Sequence, residues 1–119
     1  MKKILAASFL VLISAAPSPA ALKVIGYGRQ MHLDVSGFPP EMREDYKVVQ
    51  DKCVQCHTME RIIMAVKTGL GPVSGLPFDK KAVAAYGERM LKRSNPGMSS
   101  AEVQKAVDFL DFLIDEMGR

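Results

Sequence analysis

The chain's two cysteines stand beside one of its two histidines in the run Cys53-Val54-Gln55-Cys56-His57. Two thiols separated by two residues and followed at once by an imidazole make the C-x-x-C-H pattern of covalent haem attachment. The spacing has a chemical reason. The thiols add across the two vinyl groups of a porphyrin and fix one of its edges. The next imidazole is then held where its Nε2 reaches the iron, for which neutral imidazole is a good ligand. Other readings of these residues fit less well. A thioredoxin-like C-x-x-C belongs in a βαβ unit, and no strand–helix alternation surrounds this one. A structural zinc site takes four ligands; the chain offers Cys53, Cys56, His57 and His32, without finger-like spacing. A chance match to three fixed residues is opposed by the address written at the start of the chain.

Residues 1–20 read as a secretory signal: Lys2 and Lys3 are basic, Ile4 to Ala16 is apolar, and Ser18-Pro19-Ala20 supplies small residues for cleavage before Ala21. The apolar run falls short of the roughly twenty residues a spanning helix needs, so no membrane span is expected after cleavage. No cysteine near that point suggests a lipid anchor. The chain is thus predicted to be periplasmic, and such compartments are where c-type haem is attached. Lys2 and Lys3 account for two of the sixteen basic residues, so the remaining fourteen against thirteen acidic residues leave +1 rather than +3. Nucleic-acid binders carry a clustered basic surface, which this chain lacks. About 99 residues remain, enough for one small domain. With no Trp, the chain is expected to rely on haem for apolar bulk and to fold poorly without it. The cysteines lie too close together to act as a loop-closing structural disulfide.

The elements around the motif follow from periodicity and punctuation. Residues 21–40 are mixed, with Gly26, Gly28 and Gly37, and read as an irregular N-terminal segment ahead of a domain over 41–119. Pro39-Pro40 opens a helix on which Met42, Tyr46, Val49 and Cys53 share one face. Arg61 to Val66 is a short helical run, broken by Gly69, Gly71, Pro72 and Gly75. Asp79 caps a third helix, about Lys80 to Lys92, with an apolar stripe of Val83, Tyr86 and Met90. Ser99 and Glu102 form a capping box, with Met98 as a staple onto Val103. Val103, Ala106, Val107, Leu110, Leu113, Ile114 and Met117 then keep helical period, and Phe109 and Phe112 widen the buried face.

This order resembles the class I, small monohaem c-type cytochrome family of exported bacterial proteins. Gly71-Pro72-Val73-Ser74-Gly75-Leu76 looks like its Gly-Pro-x-x-Gly-Leu loop, and Ala106-Val107-Asp108-Phe109-Leu110 like its C-terminal helix. Arg89-Met90-Leu91-Lys92-Arg93-Ser94-Asn95-Pro96-Gly97 is similar to an Arg-Met-x-x-x-x-Pro-Gly stretch of some members. The resemblance spans about Glu41 to Leu113. It implies an all-α, cytochrome c-like fold, three to four helices and irregular loops around one covalently bound haem c. It also implies a methionine sulfur on the iron face opposite His57, and a carbonyl at Pro72 accepting from His57 Nδ1, a contact that orients the ring. Where the family has a glycine and an aromatic at its helix crossing, this chain has Asp45 and Val49. It also lacks the tryptophan that often bonds a propionate.

Eight methionines compete for the sixth position. Met1 leaves with the signal. Met59 and Met64 follow His57 too closely to cross the ring, Met31 and Met42 precede the motif, and Met117 is near the chain end. Met98 is occupied as a staple. Met90 is therefore the expected ligand, with Met98 and then His32 as alternatives; a second imidazole would lower the potential relative to a thioether. With both axial positions filled no substrate reaches the metal, which points to an electron carrier rather than an enzyme, monomeric and docking briefly on redox partners. The acidic residues Asp108, Asp111, Asp115 and Glu116 of the last helix read first as a solvated outer face, and as the alternative a docking patch for a basic partner. The alternatives are a haem-bearing subunit of an exported oxidoreductase complex, or an open-site peroxidase or gas-sensing protein with His32 as its distal group.

Overall fold

The computed structural model describes residues 22–55, 57–93 and 97–119. The signal segment lies outside the described residues, as do Cys56 and residues 94–96. The fold is mostly helical, with four helices: α1 (Pro40–Lys52), α2 (Met59–Thr68), α3 (Lys80–Lys92) and α4 (Ser100–Glu116). Both α1 and α3 pack on α4, which is the central element.

Local chemistry sets the helix ends. Pro40 occupies the first turn of α1, where its missing N–H costs nothing. Thr58 caps α2 through its side chain, so that helix starts two residues before the expected Arg61, and Gly69 closes it at φ +72°, a left-handed conformation natural to glycine. Asp79 Oδ1 accepts from Ala82 N–H at 2.8 Å, as its cap role predicts. Ser99 and Glu102 form the full reciprocal capping box at the head of α4, and Met98 packs onto the core beneath it.

Phe109, Leu113, Ile114, Val49, Ile63, Val66 and Val83 are almost fully buried and fill the centre. Phe109 lies at the middle of the packed face rather than at its margin, with its ring 5.1 Å from that of Tyr46 and 6.3 Å from Phe38. Two expectations need correction. On α3 the buried positions are Val83 and Gly87, while Tyr86 is exposed and Met90 half-buried. The absence of a side chain at Gly87 lets that face, rather than the larger side chains, settle against α4. The N-terminal segment is also more regular than expected. A two-stranded antiparallel hairpin pairs β1 (Val24–Ile25) with β2 (His32–Leu33), and a short 3-10 turn at Gly28–Gln30 joins them. Leu33 is buried, and its N–H donates to the Tyr46 hydroxyl at 2.8 Å, which fastens the hairpin to α1.

Candidate functional site

The C-x-x-C-H segment is the bend between α1 and α2. Cys53 closes α1, its N–H donating to Val49 O, and begins a 3-10 turn over Cys53–Gln55. His57 N–H donates to Cys53 O at 3.0 Å, drawing the two ends of the motif together. Cys53 is buried on the face that carries Tyr46 and Val49, whereas Val54 and His57 are exposed. One thiol is therefore anchored against the core, and the imidazole stands at the surface immediately before α2. The thiol of Cys56 lies outside the described residues.

Beyond α2 the chain makes a loop with an unusual combination of order and apolarity. Gly71 N–H donates to Leu76 O at 2.8 Å, Phe78 N–H to Gly69 O at 2.8 Å, and Gly75 N–H to Gly71 O at 2.9 Å. An isolated antiparallel bridge joins Leu70 and Pro77. This backbone scaffold nonetheless presents Leu70 at 48% exposure, Val73 at 83% and Leu76 at 65%, with Met64 on α2 at 43%. A hydrogen-bonded loop that holds apolar side chains in water is suited to a covering group. The donor set, a thiol and an imidazole in one turn, is of the kind that holds a tethered iron-bearing group, and the exposed loop is of the apolar kind that such a group would cover. Pro72 sits exposed in the same loop, and among the described residues no hydrogen bond joins it to His57.

The three candidates for the second axial position have different surroundings. Met98 is packed onto the core, as a staple should be. Met90, in the last turn of α3, is half-buried and stands outside the core cluster. His32 is half-buried, and its Nδ1 lies 2.9 Å from the carbonyl oxygen of Gln30, to which it donates. It lines a cleft of about 260 Å³ with Arg29, Gln50, Val54 and Met59.

The charges on α4 are partly engaged. Asp115 pairs with Lys80 of α3 at 2.5 Å, and Asp108 accepts from Gln104 Nε2 at 2.8 Å. Burial, with the neighbouring carboxylates adding to it, raises Asp111 above the usual carboxylate range against the pull of Lys80, and its Oδ1 is buried without a partner. Asp45, at the α1–α4 crossing, is 4% exposed. Burial first and the carboxylate of Asp108 second raise its pKa. Its burial was legible, since it lies four residues before Val49 on the packed stripe of α1. The hydroxyl role of Tyr46 carries no comparable sequence signal. Among the described residues no helix is long and apolar enough to cross a membrane. Family models, curated proteins and solved structures contain no match to this chain.

Proposed function

We propose that the chain is a periplasmic electron carrier with a cytochrome c-like fold, bearing one covalently attached haem c. Cys53 and Cys56 would form the thioethers, and His57 and Met90 would ligate the iron. The observation that carries this reading is the C-x-x-C-H turn itself, with one thiol anchored beneath α1 and the imidazole exposed at the entry to α2. Bound haem supplies one-electron iron chemistry. The chain's own contribution is to hold the ring and shield it. Cys53, fixed by the last turn of α1, sets one edge. Leu70, Val73, Leu76 and Met64 provide apolar cover that excludes water. Met90, on a helix braced against α4, supplies a soft thioether, and such ligation raises the potential relative to a second imidazole. Val54, exposed between the two thiols, marks the edge at which a redox partner would approach.

Expression in a host with c-type maturation machinery tests the reading. The purified protein should be coloured and keep its pigment in acidified organic solvent. Its ferric form should show the weak near-red absorbance of iron–sulfur ligation, lost in Met90→Ala and kept in Met98→Ala. A colourless protein sinks the haem assignment, and a Met90→Ala variant that retains the band sinks the ligand assignment.

A further inference from the structure

Gly87 occupies the interior of α3, where glycine costs about 1 kcal/mol relative to alanine. The α3–α4 crossing shows what opposes a larger residue. A Cβ at this position would lie 2.9 Å from Val107 Cγ2 and 3.5 Å from Val103 Cγ1. Carbon atoms settle at roughly 3.5–4.0 Å, so the nearer valine methyl would have to give way. Valine on a helix is held in one strongly preferred χ1 rotamer, which makes Val107 a poor yielding partner. The helix itself would move instead. Near its head α3 is tied to α4 by the Lys80–Asp115 pair, so displacement at Gly87 acts on the C-terminal turn. Met90 is in that turn, three residues and about 4.5 Å of helix rise beyond the contact.

We propose that Gly87 is a positioning residue for the axial thioether: its close contact with Val107 sets how near α3 lies to α4 and so where the Met90 sulfur stands. The inference rests on the Met90 ligation proposed above. Angström-scale misplacement is enough to disturb a reacting or coordinating geometry, and it is read in the iron–sulfur signature separately from any loss of stability that the added methyl group causes.

The test compares holoprotein of wild type, Gly87→Ala, Val107→Ala and the double variant. Gly87→Ala should lose most of the near-red iron–sulfur band and shift its midpoint potential downward. Val107→Ala alone should keep both, and Gly87→Ala/Val107→Ala, which removes the obstructing methyl groups, should recover them. A Gly87→Ala protein with the wild-type band and potential, whatever its thermal midpoint, overturns the proposal. Should Gly87→Ala fail to accumulate, the double variant decides: holoprotein with the band supports the proposal and holoprotein without it overturns it. A wild type that lacks the band removes the Met90 assignment itself, an outcome distinct from a wild type that has the band and a Gly87→Ala variant that keeps it.

Discussion

Asp45 places a carboxylate at the crossing of α1 and α4, where it is nearly sealed from water. Its pKa is raised by desolvation and then by Asp108, with Glu41 and Glu44 adding to the effect and Lys105 opposing it. A raised carboxylate binds its proton more tightly folded than unfolded, so its contribution to stability is fully present below the ordinary carboxylate pKa. That contribution is lost as pH rises through the folded value. Asp45→Asn removes this dependence while keeping the shape. The guanidinium midpoint of Asp45→Asn minus that of wild type should therefore grow from acid to neutral pH. A difference that stays flat, or shrinks, would show that Asp45 ionises freely at the crossing. Asp111 is raised for the same first reason and remains as a common background in both proteins. The motif residues were legible at this scale because their chemistry depends on spacing along the chain. The state of Asp45 was not, because it depends on what α4 places opposite.

Helix positions followed from capping chemistry written in a few adjacent residues: Asp79 before α3, Ser99 with Glu102 before α4, and Gly69 after α2. The hairpin was hidden because β1 and β2 are two residues each, too short for any alternation to register, and Gly26 and Gly28 read only as breaks. The orientation of α3 was misread because an apolar stripe counts side chains, whereas the packed face is organised around the glycine that has none. The hairpin's attachment gives a direct test. Tyr46→Phe keeps the ring against Phe109 and removes only the hydroxyl, which accepts from Leu33 N–H and is also hydrogen-bonded to the Gln50 side chain. A buried donor left without a partner costs about 1–3 kcal/mol, so the denaturant midpoint should fall with an unchanged m-value. An unaltered midpoint would mean that the hairpin is held by its apolar contacts alone. Leu22, Val24, Met31, Val35 and Phe38 all pack on the core with Leu33. Ile25 and Tyr27 of the same segment stay exposed.

At the scale of the whole molecule, two kinds of apolar surface coexist. One is enclosed by α1, α2, α3 and α4 around Phe109, Leu113 and Ile114. The other is held open on the loop after α2, at Leu70, Val73 and Leu76, and on α2 at Met64. Side-chain burial closes the first without help. The second has no such cover among the described residues, and in our proposal it is closed by the group tethered at Cys53 and Cys56, at the turn before α2. The free energy of covering it then belongs to the stability of the coloured protein and is missing from a chain that cannot attach haem. Because the m-value scales with the surface exposed on unfolding, the two forms should differ in slope as well as in midpoint. Against the expectation from sequence that the chain folds poorly without haem, we expect Cys53→Ala/Cys56→Ala to retain helical circular dichroism, since side chains alone close the core around Phe109, Leu113 and Ile114 and Cys53 lies at its edge. It should also unfold in guanidinium at a lower midpoint, with a shallower slope, and bind a hydrophobic dye that the coloured wild type does not. Equal midpoints and slopes would show that the loop's apolar side chains are covered by nothing that the two thiols hold, and the assignment of that surface to a tethered ring would fail even if the thiols were shown to carry pigment.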